Sequence, residues 1–222
     1  WFHAVKGAEV LLGNPEQEEL LGLSYDSRKA KAGDLFLCMQ GTTMDSHDKI
    51  PELIEKGVRL FVVEKGLSEL GLEDKEKLCV VRVENARAAL AELSAFYFRY
   101  PAKEMLMIGI TGTKGKTTTA SMVRSILEEG GYHAGLIGTT GIDYMGIHEE
   151  TRNTTPESYT LQETFRKMRD KGVNAVVMEA SSQGFKMHRT DEILFDYGIF
   201  TNIEEDHIGV NEHKDFAEYK YY

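Results

Sequence analysis

"MLMIGITGTKGKTTTASMVRSILEEGG", residues 105–131, decides how the second half of the chain folds. Its opening "MLMIGI" is a short apolar run of the kind carried by a strand buried on both faces. Its tail places Ala120, Val123, Ile126 and Leu127 on one helical face and ends at Gly130 and Gly131. Between them lies "TGTKGKTTT", residues 111–119, a glycine turn that leaves a strand and opens a helix. That placement aims backbone N–H groups at one point and adds the positive end of a helix dipole, which together favour a phosphate. Gly112 and Gly115 allow close backbone approach. Lys116 has the reach for terminal phosphates, and the Thr117 hydroxyl suits Mg²⁺. Thr113, Lys114 and Thr118 complete the candidate nucleotide loop. A glycine turn that merely caps a helix is the plain alternative. The buried strand before GKT and the amphipathic helix after it argue against that alternative. The spacing is not the standard one, because Ile110 stands where the usual loop has its first glycine.

Working outward, "HAGLIGTT", "NAVVMEA" and "YGIFTN" read as further strands, and "LQETFRKMRDKG" as a helix ended by Gly172. Strands alternating with helices imply a mostly parallel sheet covered on both faces, with ligands at the carboxyl ends of the strands. The first half carries candidate strands at Leu35–Met39, Leu60–Val63 and Cys79–Val83. It also carries a helix near Ile50–Glu55 and a longer one from Asn85, a fitting N-cap, to Arg99. Ala88, Ala89, Leu93 and Phe96 form the apolar stripe of that longer helix. Pro101 punctuates the chain, so the expected boundary lies near residue 102. The fold class is therefore α/β. A small N-terminal α/β domain, residues 1–102, precedes a P-loop-type, mostly parallel α/β domain, residues 103–222.

Composition excludes several functions. A net charge of −10 argues against nucleic-acid binding, which needs a basic footprint, but leaves small anionic substrates open. Two cysteines, Cys38 and Cys79, are too few for a disulfide framework and sit in apolar runs as buried strand thiols, which fits the cytosol. No apolar run of about 18 residues exists to cross a membrane. No signal peptide is visible, and the chain opens with Trp1.

"ITGTKGKTT" resembles the ATP loop of the Mur ligases, whose loop reads TGT-x-GKT with Asn or Lys at the position of Lys114. These enzymes join an amino acid or peptide to a UDP-linked muramyl precursor. Other stretches resemble the MurE type of that family. "YDSRKAKAGDLFLCMQG" is similar to the DSR…GDLF segment that holds the uracil end of the UDP-sugar, which implicates Ser27 and leaves Asp26 and Arg28 structural. On pattern alone, Ser27 caps a turn equally well. "NTTPES" resembles the grip on the muramyl dipeptide, implicating Asn153, Thr154 and Thr155 ahead of a helix that Pro156 can start. Without the resemblance this is an N-cap turn. In "VVMEASSQGFKMHR", Glu179 matches a Mg²⁺ ligand, and Ser181 and Arg189 match substrate contacts. Arginine suits a carboxylate or phosphate through its planar fork. Gln183 and Met187 depart from the family, where His and a polar residue are common; His188 stays unassigned. In "YGIFTNIEEDHIG", His207 matches a second-metal ligand that Asp206 orients. With a one-residue gap, "DFAEYKYY" resembles the helix of a carbamylated lysine, which implicates Lys220.

The resemblance implies ATP-driven amide formation through an acyl phosphate. ATP and Mg²⁺ are the cofactors, with a carbamate on Lys220. Lys116, Glu179, His207 and Lys220 carry the chemistry, and Thr117, Glu179, His207 and Lys220 hold metal. The implied substrates are a UDP-MurNAc-dipeptide and a free amino acid, L-lysine or meso-diaminopimelate. It further implies a cytoplasmic monomer in peptidoglycan biosynthesis, and a central domain that continues past Tyr222 into a C-terminal domain, without which the chain is inactive. A MurF-like or folylpolyglutamate synthase-like ligase shares the loop, though "NTTPES" disfavours it. A non-catalytic ATP- or UDP-sugar-binding homologue would keep the fold without turnover.

Overall fold

The computed structural model describes residues 1–222 except 42, 43, 74, 76 and 211. The chain divides into two compact units, Trp1–Tyr97 and Phe98–Tyr222. The division precedes the expected position near 102. The 3₁₀ turn Pro101–Glu104 packs on a helix of the second unit, and Ala102 joins that unit's core.

In the first unit, strands β1 (Glu9–Leu12), β2 (Gly22–Ser24), β3 (Asp34–Leu37), β4 (Leu60–Val63) and β5 (Cys79–Arg82) form one sheet. Its order is β1-β5-β4-β3-β2, parallel except where β1 meets β5. Helices α1 (Ile50–Glu55), α2 (Leu67–Leu70) and α3 (Ala86–Tyr97) connect and cover it. Asn85 caps α3, its Oδ1 accepting from the backbone N–H groups of Arg87 at 2.9 Å and Ala88 at 3.1 Å. Ala89 and Leu93 are buried as the periodicity predicts; Ala88 is only half-buried and Phe96 is exposed, while Leu90, outside the predicted stripe, is buried. Cys38 and Cys79 are buried free thiols, and burial pushes the Cys79 pKa up to about 11.

The second unit is built on β6 (Leu106–Thr111), β7 (Ala134–Gly138), β8 (Gly141–Tyr144), β9 (Ile147–Glu149), β10 (Ala175–Glu179) and β11 (Tyr197–Phe200). Their order is β11-β6-β10-β7-β8-β9. The first four in that order are parallel, and β8 and β9 form an antiparallel extension that the sequence reading left out. Its helices are α4 (Lys116–Glu129), α5 (Ser158–Asp170), α6 (Ser182–Lys186) and α7 (Phe216–Tyr221). Alternate residues of the central strands enter two different cores, as a sheet covered on both faces requires. Met107, Ile137, Val176 and Met178 pack with Leu161, Phe165 and Met168 of α5. Ile108, Ile110, Leu136 and Val177 pack with Ala120, Val123 and Leu127 of α4. Ile126, predicted on that face, is instead exposed.

Phe165 is fully buried at the centre of the α5 face. Phe165→Ala is expected to lower the unfolding free energy by about 3–5 kcal/mol, measured by denaturant titration. A loss under about 1 kcal/mol would mean that α5 is not packed as described.

Because β6, β7, β10 and β11 are parallel, their carboxyl ends lie along one edge of the sheet. Thr111, Gly138, Glu179 and Phe200 end the four strands, and the residues that follow them build the site.

Candidate active site

The loop after β6 is held by the segment after β11. Thr113 N–H donates to Asn202 O at 3.0 Å, and Lys114 N–H donates to Asn202 Oδ1 at 3.0 Å. Asn202 Nδ2 and Thr201 Oγ1 both donate back to Lys114 O, at 3.0 and 2.8 Å. Gly112 has φ 130°, and a Cβ there would overlap Thr201 Oγ1 and the backbone of Asn202. The displaced glycine therefore fits this strut: the backbone at Gly112 must pass against the end of the neighbouring strand. Gly115 enters α4 with φ 82°. Thr118 is exposed in the first turn of α4, and Lys114 reaches away to Glu204, Nζ to Oε2 2.5 Å.

Lys116 is the first residue of α4, and its half-buried Nζ donates to Gly112 O at 2.7 Å and to Thr113 O at 3.1 Å. Burial pushes its pKa below the ordinary lysine value, against the opposing fields of Glu179 and Asp206. An anion in the loop would raise it again.

Thr117 and Glu179 meet directly, Oγ1 to Oε2 3.0 Å, although they come from different strand ends. Glu179 is 1% exposed, so it is not a solvated strand-end carboxylate. Thr139, after β7, donates its backbone N–H to Oε1 at 3.0 Å and its hydroxyl to Oε2 at 3.2 Å. Gly138 makes room for this carboxylate, since a Cβ there would overlap it. A buried carboxylate oxygen beside a hydroxyl supplies the hard oxygen donors that Mg²⁺ accepts when phosphates complete its shell. These two residues fit the ion. Among the described residues no group of three His, Cys, Asp or Glu side chains is placed to hold a metal by itself.

A cavity of about 430 Å³ opens beside the loop, lined by Lys116, Asn153, Thr154, Ser181, Arg189 and His207 among others. Residues from five separate positions along the chain, between Lys116 and His207, thus share one space. Arg189 pairs with Glu157, NH2 to Oε1 2.7 Å, and donates to Thr155 O at 3.1 Å, while its buried Nε has no partner. Thr155 serves the scaffold instead. It is fully buried, and its hydroxyl donates to Glu179 O at 2.9 Å, tying the "NTTP" segment to β10. Ser181 caps α6 through Gly184 N–H at 3.1 Å and meets Thr155 Oγ1 at 3.0 Å, so its hydroxyl has structural duties as well. Ser27 lies in a turn of the first unit, where Lys56 Nζ donates to its carbonyl at 3.1 Å. Beside it, Asp26 and Arg28 pair through two side-chain bonds of 2.8 and 2.7 Å, and Arg28 holds the Asp26 carboxyl down at about 2.

The segment after β11 departs from expectation. His207 adopts φ 56°, and Asp206 accepts from its backbone N–H at 2.8 Å rather than from its ring. Glu212 is the carboxylate at the ring, Nδ1 to Oε1 3.5 Å. Lys220 does not join the others. Its Nζ lies 5.6 Å from the Phe216 ring centroid, and it lines an adjoining cleft that shares Gly112, Ser182 and Tyr219 with the cavity. On a short helix, adjacent residues point about 100° apart. The residue that faces the loop is therefore Tyr219, whose OH meets Thr113 Oγ1 at 2.7 Å. Its ring lies 5.7 Å from that of His207 and 5.4 Å from that of His213. His213 is buried, lines the cavity and meets Ser182 Oγ at 2.9 Å. Arg152, which also lines the cavity, and Thr139, Asn202, His213 and Tyr219 were all missed as site residues in the sequence. Tyr219→Phe is expected to cost about 1 kcal/mol of stability by losing one buried hydrogen bond. An unchanged denaturation midpoint would show that the Thr113 contact contributes nothing.

Comparison with known proteins identifies the family. Residues 19–98 match the family described as "Mur ligase family, catalytic domain", and residues 110–222 match "Mur ligase middle domain". The chain is 41% identical over 212 residues to the "UDP-N-acetylmuramoyl-L-alanyl-D-glutamate--2,6-diaminopimelate ligase" of Clostridium perfringens, covering 95% of this chain and 42% of that one. It is 41% identical over 209 residues to the ligase of the same name from Bacillus licheniformis, covering 93% of this chain and 40% of the relative. A solved structure bearing that name superposes with a TM-score of 0.75 at 21% identity, over 98% of this chain and 42% of the other, which shows a shared fold. The chain spans about two fifths of the length of the curated relatives it matches. With just over half of its residues matched to the middle domain, the chain belongs to the Mur ligase family.

Proposed function

We propose that this protein takes part in ATP-dependent amide-bond formation on UDP-MurNAc-L-Ala-D-Glu, in peptidoglycan biosynthesis. The observation that carries the reading is the meeting of Thr117 and Glu179 in the turn that follows Lys116, where Lys116 itself lines a cavity shared with Asn153, Thr154 and Arg189. The relatives' names support 2,6-diaminopimelate as the added amino acid. In this reading a carboxylate oxygen of the dipeptide attacks the γ-phosphorus of ATP, the bond to the β-phosphate oxygen breaks, and ADP leaves. The amino acid's amine then attacks the acyl carbon, loses a proton, and phosphate departs.

The chain's own residues act by charge and position. Lys116 turns its ammonium from the Gly112 and Thr113 carbonyls to the terminal phosphates. Arg189, anchored on Glu157, offers its unpaired Nε to a substrate carboxylate or phosphate. Asn153 and Thr154 offer amide and hydroxyl bonds from the same wall. Thr117 and Glu179 would hold Mg²⁺, which offsets charge on the phosphates. His207 lines the cavity and is the further metal ligand of this reading. Ser27 belongs to it as the contact to the uridine end. The protein works as a cytoplasmic monomer here, and no helix among the described residues is long and apolar enough to cross a membrane.

Calorimetric titration tests this reading. UDP-MurNAc-L-Ala-D-Glu and Mg²⁺–ATP are both expected to bind. Binding of a UDP-MurNAc-tripeptide or a folate in place of the dipeptide would overturn it. A carbamate on Lys220 rests on the family resemblance alone, since the lysine points to Phe216. If it forms, a Lys220→Ala protein of low activity should regain turnover with short carboxylates. No rescue, together with no response of the unaltered protein to bicarbonate, would remove Lys220 from the reaction.

A further inference from the structure

We infer that Thr139 couples the cation side of this cavity to its substrate side, by setting which way the Thr154 hydroxyl points. The inference rests on the proposed function for the identity of the two ligands. Thr139 is bonded both to the Glu179 carboxylate and to the Thr154 hydroxyl. Its hydroxyl lies 3.2 Å from Glu179 Oε2 and 3.0 Å from Thr154 Oγ1. Its backbone N–H holds Glu179 Oε1 at 3.0 Å, so the residue stays in place whichever way the hydroxyl turns.

A hydroxyl has one proton to donate. Glu179 is a buried carboxylate, and a bond to a charged acceptor is stronger than one to a neutral hydroxyl. The Thr139 proton therefore goes to Glu179, and Thr139 accepts from Thr154. Thr154, a cavity-lining residue, then has its proton turned inward and shows only lone pairs to the substrate space. A cation on Glu179 Oε2 competes with both hydroxyls that donate there, Thr117 and Thr139. The Thr139 proton is freed to turn to Thr154, and the Thr154 proton is freed to turn outward. The wall gains a donor suited to a carboxylate or carbonyl of the substrate. Linkage requires the converse: a substrate that accepts from Thr154 favours the cation by the same factor.

The test is the ratio of two affinities, measured by calorimetry without turnover. UDP-MurNAc-L-Ala-D-Glu is titrated into the protein with saturating ADP alone, and again with ADP and Mg²⁺. The expected ratio is roughly fivefold or more in favour of Mg²⁺. Thr139→Val keeps the backbone donor and the branched shape, and should bring the ratio to about one. Thr139→Ser keeps the hydroxyl and should restore it. A Thr139→Val protein with the wild-type ratio would overturn the inference, as would Thr139→Ser failing to restore it. Wild-type protein that binds both ligands without coupling would overturn it too, while the site reading stands. Wild-type protein that binds neither ligand would overturn the functional reading and this inference with it.

Discussion

Lys116→Ala should abolish ATP-dependent ligation by the intact protein, a loss of at least about 10²–10³-fold, the scale of removing one preorganised group that meets developing charge. The ammonium sits where the loop curls around it, donating to Gly112 O and Thr113 O at 2.7 and 3.1 Å. Half-burial already lowers its pKa, so the charged form gains most when an anion arrives. Alanine leaves the triphosphate without that charge. Lys116 is only half-buried and lines the cavity, so water can enter in place of the lost donor and the fold should survive. Arginine is not expected to substitute, because its planar fork does not fit the space of a compact ammonium. Calorimetry with Mg²⁺–ATP and an amide-forming assay together check this. Wild-type affinity and turnover would take Lys116 out of the site.

The second large effect concerns Glu179. Glu179→Gln preserves shape, and its carbonyl oxygen can still accept from Thr139 N–H. Its amide nitrogen then faces Thr117 and Thr139 hydroxyls, which can turn to accept. The substitution is thus tolerated by the fold while the only charge on the ligand pair is lost. Mg²⁺ should then stop improving nucleotide affinity, with at least about a tenfold loss of the metal-dependent gain, while binding of ATP without Mg²⁺ persists. Gly138→Ala offers the same result by a different route. Its methyl group would overlap the carboxylate and displace it without altering its charge. If Mg²⁺ strengthens nucleotide binding as well in both variants as in the wild type, the metal is held elsewhere.

What was legible in the sequence follows from which signals are local. The buried run "MLMIGI", the glycine turn and the stripe on α4 are local patterns; the strand and the helix formed where predicted, and Ala120, Val123 and Leu127 of the stripe pack on the sheet while Ile126 does not. The hairpin of β8 and β9 was not legible, because its strands are short and its pairing partner is β7. Asn153, Thr154 and Thr155 were expected to grip the substrate; Asn153 and Thr154 line the cavity, while the Thr155 hydroxyl is bonded into the scaffold. Alternation along an extended segment sends neighbours to opposite sides, and nothing in "NTTP" says which side faces substrate. Lys220 shows the same ambiguity on a helix. One position of register put Tyr219 at the loop and the lysine outside it.

The sequence by itself determined the parallel α/β scaffold and the glycine loop between strand and helix, because strand burial, helix periodicity and glycine turns are properties of neighbouring residues. Only the tertiary structure decided that Glu179 is buried against Thr117, that Thr139 joins it to Thr154, and that Asn202 braces the loop. Those contacts span 62, 15 and 88 residues of chain. They exist because parallel strands bring distant carboxyl ends to one edge of the sheet, and no local pattern encodes which side chains meet there.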